Sequence, residues 1–219
     1  MKRMRVLHHS SGLRLRRFGA LAVISILGLG LAGCFASDEP LITASASDHP
    51  LPAGARFSEA MNCASVDLGC DSQSGYRTIA TGSVALEDGQ YVLNYDPGSN
   101  VAFLLPKGAN KISVLFKNIG QDLYIAQLDG GAEEAGDDAP RRYLYELARM
   151  QGGDLYIYEY TCEANGDLKY VKSGQLKAIT TSLGVAVCHA SNLDGLAAVF
   201  RGRLTNGAPP SERLQLKDA

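Results

Sequence analysis

Cysteine offers the most chemistry in this chain of 219 residues, which has five of them. The first, Cys34, directly follows Leu31, Ala32 and Gly33 at the end of an apolar run that starts at Ala20. Six basic residues and no acidic ones precede the run: Lys2, Arg3, Arg5, Arg14, Arg16 and Arg17. About a dozen apolar residues is the length of a signal peptide, well short of the ~20 that a spanning helix needs. We therefore expect the segment before Cys34 to be a cleaved export signal.

The sequence Leu31-Ala32-Gly33-Cys34 resembles the lipobox of bacterial lipoproteins, a resemblance that covers residues 1–34 only. It implies that residues 1–33 are removed, that the Cys34 thiol is diacylated, and that the new amine is acylated. Several acyl chains hold a protein on a membrane almost permanently, because each buried methylene adds about 0.8 kcal/mol. Phe35, and not an aspartate, follows the cysteine, which in this class favours the outer membrane, facing the periplasm. The alternative is an ordinary secretory signal with Cys34 near the cut by chance.

The four other cysteines, Cys63, Cys70, Cys162 and Cys188, predict two disulfides, since an even number in an exported chain is typical of an oxidising compartment. Three pairings are open. Proximity favours Cys63 with Cys70 and Cys162 with Cys188, although proximity alone does not decide connectivity. A zinc site that adds a histidine is disfavoured, because the paired spacings of zinc ligands are missing from the sequence.

Catalytic motifs do not stand out in the sequence. The exported part has two histidines, His49 and His189, and contains no G-x-S-x-G elbow, Walker loop or G-x-G-x-x-G. Glu146 and Glu159 are candidates for an acid/base pair, but we expect both to be ordinary solvent-facing residues. We therefore predict no catalytic residue, metal or cofactor, and no enzymatic activity.

A group of tyrosines is the candidate ligand-binding surface. Tyr156, Tyr158 and Tyr160 alternate along one predicted strand and so face the same way. With a Gly152-Gly153 turn, Tyr160 is expected opposite Tyr145, Tyr158 opposite Leu147, and Tyr156 opposite Arg149, where a cation-π contact is possible. Tyrosines suit the wall of a small-molecule pocket, but a buried sheet face is favoured, since tyrosine has high strand propensity.

These residues lie in a pattern of strand, turn, strand that predicts a mainly β fold: an antiparallel meander forming a small barrel or sandwich. Turns are expected at Asp88-Gly89, at 118–121 and at Gly152-Gly153, with a further turn at Asn165-Gly166 before a segment at 168–171. Near the end, apolar residues at helical spacing after Asn192 predict one short amphipathic helix, with Gly202 as its terminator.

The domain organisation follows from composition. Residues 34–52, rich in Ala, Ser, Asp and Pro, are predicted to be the lipidated cysteine and a flexible tether, and residues 53–219 a single disulfide-containing β domain. Removal of residues 1–33 leaves 15 Lys and Arg against 23 Asp and Glu. The resulting net charge of about −8 argues against nucleic acid as a partner.

Together these features predict a lipid-anchored envelope protein whose β domain is an interaction or assembly module. Its expected partners are the membrane, through the lipid anchor, and other envelope proteins. The alternative is a lipocalin-like carrier that binds a small apolar ligand on the tyrosine surface. An enzyme of another kind would need His189 close to carboxylates and a nucleophile.

Overall fold

Eleven strands and two helices make up the described part of the chain, which in this computed structural model comprises residues 35–64, 75–99, 109–129, 142–160, 162, 168–180, 186–205, 207 and 209–217. The strands are β1 Phe35–Ser37, β2 Arg56–Asn62, β3 Tyr76–Glu87, β4 Gln90–Tyr95, β5 Lys111–Gly120, β6 Leu123–Asp129, β7 Tyr143–Gln151, β8 Asp154–Tyr158, β9 Leu176–Thr180, β10 Ala186–Ala190 and β11 Glu212–Lys217. The helices are α1 Leu168–Lys172 and α2 Leu193–Leu204. Neither helix has the length and apolar character needed to cross a membrane, and this holds for the described residues only.

Eight of the strands close into an antiparallel barrel. Around the barrel the order is β6, β5, β4, β3, β2, β11, β8 and β7, and β7 pairs back with β6. Strands β2 to β8 form a meander, and β11 inserts between β2 and β8. The predicted mainly β, antiparallel fold is therefore confirmed, and of the two predicted forms it is the barrel.

Two-residue turns join three of the strand pairs. Asp88 and Gly89 have φ angles of 48° and 79°, the left-handed values that a type I′ turn requires. Gly152 and Gly153 behave in the same way, with φ of 63° and 89°. The third turn lies slightly later than the predicted 118–121, at 121–122, because a bulge near Gly120 lengthens β5.

The two ends of the barrel differ. The three tight turns lie at one end, where Leu51 and Ala55 pack into the barrel core beside Tyr91. The Tyr91 hydroxyl donates to the Leu51 carbonyl (2.6 Å), and the Leu51 amide lies 3.0 Å from the same hydroxyl oxygen. At the opposite end, β2, β4, β6 and β8 finish and β3, β5, β7 and β11 begin, and the chain segments between them are longer. We call this the long-loop end.

Segment 35–52, which the sequence predicts to be a flexible tether, is instead packed against the barrel. Phe35 is fully buried in β1, which pairs with β7 on one side and with β10 on the other. Further along, the Gln127 side chain accepts from the Ile42 amide (2.8 Å) and donates to the Ile42 carbonyl (2.9 Å). Residues 35–52 are therefore packed with the barrel and are not a free tether.

A second layer covers the outer surface of the barrel. Strands β1, β10 and β9 continue the sheet beyond β7, and the buried side of α2 packs in one apolar cluster with them. At the centre of this cluster the rings of Phe35 and Phe200 meet edge to face, with centroids 5.1 Å apart. The predicted helix thus covers a sheet face.

The ends of the helices differ from expectation. Asn192 caps α2 as predicted, its side chain accepting from the Gly195 amide (2.7 Å). Gly202, the predicted terminator, lies inside the helix, which continues to Leu204. A Cβ atom at Gly202 would lie 2.1 Å from the Tyr170 hydroxyl, so the glycine allows α1 to approach closely. The segment at 168–171, predicted to be extended, is part of that helix α1.

Candidate functional site

The residue with the most specific sequence signal, Cys34, lies outside the described residues. The chain is described from Phe35 onward, and this next residue is already buried in β1. Lipidation of Cys34 therefore stays a prediction.

Among the described residues, a disulfide joins Cys162 and Cys188, with Cα atoms 5.4 Å apart, and Cys63 is also disulfide-bonded. The Cys162–Cys188 disulfide connects the chain just after β8 to the centre of β10, and both of its cysteines are buried. The predicted pairing of Cys63 with Cys70 involves Cys70, which lies outside the described residues.

Two of the three predicted pairings of the tyrosine surface are observed, the pairing of Tyr160 with Tyr145 is wrong, and the surface lies on the outside of the barrel. Leu147 pairs with Tyr158, and Arg149 with Tyr156. Strand β8 ends at Tyr158, so the position opposite Tyr145 is taken by Phe35 of β1. The tyrosines belong to the same apolar cluster as α2 and β10, and therefore do not line the barrel interior.

Individual tyrosines are packed to different degrees. Tyr145 and Tyr158 are buried, whereas Tyr156 and Tyr160 are partly exposed. The Tyr145 hydroxyl contacts Ser37 Oγ (2.7 Å) and Gln127 Oε1 (3.1 Å), so it fastens β1 to the barrel. The guanidinium that lies over the Tyr160 ring, 5.5 Å from its centroid, is that of Arg203.

His189 is placed beside an aspartate. Its Nε2 lies 3.2 Å from Asp38 Oδ2, next to the disulfide of Cys188. His49, by contrast, contacts the Gly89 carbonyl (3.3 Å) at the tight-turn end. Within the described ranges, no three His, Cys, Asp or Glu side chains gather closely enough to hold a metal ion.

A feature that sequence reasoning missed is a group of acidic side chains on the barrel interior. Side chains two residues apart on a strand face the same side. Three glutamates lie two residues from a side chain of the barrel core, on β2, β7 and β11, and therefore face inward; these core residues are Phe57, Ala148 and Leu214. The resulting glutamate cluster consists of Glu59, Glu146, Glu159 and Glu212. Both Glu146 and Glu159 were expected to face solvent: Glu159 is exposed, directly after β8, whereas Glu146 is half-buried on the inward side of β7.

Glu59 lies deepest in the cluster, with 2% of its surface exposed. The Tyr95 hydroxyl hydrogen-bonds its carboxyl group. Its Oε2 atom is buried and has no hydrogen-bond partner. Burial raises the pKa of Glu59, while the hydrogen bond from Tyr95 opposes the rise.

Burial and mutual repulsion act on the other members as well. Burial, Glu159 and Glu59 raise the pKa of Glu146 to about 7. Burial and the three other glutamates raise the pKa of Glu212 well above its usual range. Burial also raises the pKa of Glu159. All four shifts favour the protonated carboxyl group over the carboxylate.

Three of the four glutamates keep access to solvent: Glu146 and Glu212 are half-buried, and Glu159 is exposed. These three lie toward the long-loop end of the barrel, whereas Glu59 lies in the middle of β2. We take this end of the barrel interior as the candidate site.

The signal that locates the cluster is the alternation within each strand, combined with knowledge of barrel closure.

No protein-family model matches this chain, and no curated protein or solved structure matches it. Any proposed role must therefore rest on the residues of the chain itself.

Proposed function

We propose that this protein is a lipid-anchored envelope protein whose barrel is a binding module held directly at the membrane surface. The observation that carries the proposal is the burial of Phe35, the residue immediately after the lipobox cysteine, in a strand paired on both sides. An acyl chain on Cys34 would thus be joined to the barrel domain with no intervening flexible segment.

The packing of β1 supports a fixed position of the barrel on the membrane. A free tether of 18 residues would span about 23 Å on average and leave the orientation open. Here Ser37, Leu41 and Ile42 are hydrogen-bonded to Tyr145 or Gln127 of the barrel. We place the protein in the outer membrane, facing the periplasm, because Phe35 and not aspartate follows Cys34. Its other partners are then envelope proteins that meet the barrel close to the bilayer.

Replacement of the lipobox cysteine tests the anchor. We expect Cys34→Ala to release the protein from the membrane fraction, because its acylation site is lost. The measurement is fractionation of cells expressing wild type or variant, with an alkaline carbonate wash of the membranes. As a control, Cys162→Ser should leave the protein membrane-bound. An alanine variant that stays in the washed membranes would show that another segment holds the protein.

A second candidate function, a carrier of a small ligand, is favoured by inward-facing polar side chains that keep access to solvent, Glu146 and Glu212. A lipocalin-like carrier holds its ligand inside the barrel, and the glutamate cluster lines such a space. The tyrosine surface is not the wall of this pocket, because it packs under α2 outside the barrel. Native mass spectrometry of the purified full-length protein should show a retained small molecule, and its absence after purification in neutral detergent would count against the carrier.

A further inference from the structure

The glutamate cluster places four carboxyl groups close enough to influence one another's ionisation. Burial and repulsion from the other glutamates raise the pKa of Glu212 well above its usual range. Charges buried in this way are costly unless they are protonated or meet a cation.

Glu59 supplies an independent sign of a missing partner. It is almost fully buried, and its Oε2 atom has no hydrogen-bond partner. Buried carboxylate oxygens in native proteins nearly always have such a partner. Since this oxygen belongs to a side chain on the inner surface of the barrel, a donor in the lumen can satisfy it.

The spacing of the carboxyl groups argues against a single metal ion. Within the part of the chain described, no three of them converge as metal ligands would. They are nevertheless close enough to influence one another's ionisation. A partner with several positive centres, set apart from each other, suits this arrangement better than one ion.

Apolar side chains lie among the glutamates. Ile157 pairs with Glu212, and Leu214 pairs with Glu59, both on the inward side. Leu128 adds apolar surface on β6. Carbon chains between positive centres would contact these side chains favourably.

We propose that the glutamate end of the lumen binds a linear oligoamine, a small organic cation whose amino groups are separated by short methylene chains. Each ammonium group would donate to one or two carboxylates, including the unpartnered oxygen of Glu59, and the methylenes would lie on the apolar wall. The proposal rests on the carrier function above and is independent of the lipid anchor.

Isothermal titration calorimetry with spermidine tests the proposal on the full-length protein in neutral detergent. We expect binding at pH 8 that weakens at least tenfold at pH 5.5, because protonated carboxyls attract cations poorly. Titrations at pH 7 in two buffers of different ionisation enthalpy should show that protons are released as spermidine binds. Failure to bind spermidine at pH 8 would overturn the inference.

Two substitutions and a control locate the site. Glu146→Gln and Glu212→Gln together should weaken spermidine binding at least tenfold, whereas Glu87→Gln, on the exposed end of β3, should leave it unchanged. Circular dichroism checks that the variants fold. An equal loss with Glu87→Gln, or binding of Mg²⁺ as tight as that of spermidine, would contradict the proposal. If native mass spectrometry shows an uncharged ligand and spermidine does not bind, the carrier function stands and the oligoamine does not.

Discussion

A carboxyl group inside a barrel must be protonated, hydrogen-bonded or paired if it is not to destabilise the fold. The carboxyl group of Glu59 has a hydrogen bond from Tyr95, but its Oε2 atom has no partner. The raised pKa of Glu146 favours its protonated form. Apolar residues at these inward positions would pack more favourably, as they do at Leu155 and Leu214. The buried Glu59 and the half-buried Glu146 and Glu212 are therefore the residue-scale feature on which the proposed binding role rests.

At the same scale, Tyr158 provides a test of the outer cluster. It is 7% exposed, and its ring stacks on Tyr160 with centroids 6.2 Å apart. We expect Tyr158→Ala to lower the free energy of unfolding by about 3–5 kcal/mol, the usual cost of truncating a buried aromatic ring. Chemical denaturation of the purified variants measures the loss.

Tyr158→Phe is the matched control, because it keeps the ring and removes only the hydroxyl. It should cost about 1 kcal/mol or less. A loss below about 1 kcal/mol for the alanine variant would mean that the ring is not packed as described, and would reopen the possibility that it lines a pocket.

The register of Tyr156 and Tyr158 could be predicted from sequence, but their side of the sheet could not. The Gly152-Gly153 turn sets which residues pair, because a two-residue turn leaves one register. Strand β8, however, is apolar on both faces: Leu155 and Ile157 face the lumen, and Tyr156 and Tyr158 face the outer cluster. Alternation cannot decide between two buried faces, so the sequence did not show which side of the strand faces the lumen.

Among the elements, the disulfide joins β10 to the chain that leaves the barrel after β8. Breaking it with Cys162→Ser and Cys188→Ser together should cost about 3 kcal/mol, because the unfolded chain loses the constraint of a loop with sequence separation 26. Denaturant melts of the oxidised wild type and the double variant measure this.

Treatment of the wild type with a reducing agent is the control for the disulfide prediction, and it should reproduce most of the loss. A difference below about 1 kcal/mol would indicate that the packing of β1, β10 and α2 holds this layer without the covalent link. Loss of membrane attachment in the double variant is not expected, since the anchor is proposed at Cys34.

Short elements escaped prediction for a physical reason. Strand β1 has three residues and α1 has five. Both are too short to show the apolar repeat of a strand, every 2 residues, or of a helix, every 3.6 residues. Strand β1 is also held by residues more than a hundred positions away, such as Tyr145 and Cys188. Segment 35–52 therefore looks like a tether in sequence although its structure is fixed by distant contacts.

For the whole molecule, closure of the barrel depends on β11, which pairs with β2 and with β8 and so joins the two ends of the meander. The β2–β11 pair joins residues about 150 positions apart, and the β8–β11 pair joins residues about 55 positions apart. A local pattern predicts the hairpins but not these contacts, so barrel and sandwich could not be distinguished from sequence. The same closure turns scattered glutamates into one cluster.

The cluster should make the stability of the whole molecule depend on pH in an unusual direction. A glutamate whose pKa is raised on folding stabilises the folded state below its unfolded pKa, and this stabilisation is lost as the pH rises through the folded pKa. For Glu146 that window runs from its ordinary value of 4.5 to about 7. Asp48 and Asp96, whose pKa values are lowered from 3.8, act only at more acidic pH.

We therefore expect the full-length protein to be more stable at pH 5 than at pH 8, by on the order of 2 kcal/mol. Urea melts across this range measure the difference. Glu146→Gln should flatten the profile and raise the stability at pH 8, because the glutamine carries no charge to repel Glu159 and Glu59. Exposed Glu87→Gln should leave the profile as it is. Stability that rises from pH 5 to pH 8 would show that cations in the lumen already neutralise the cluster.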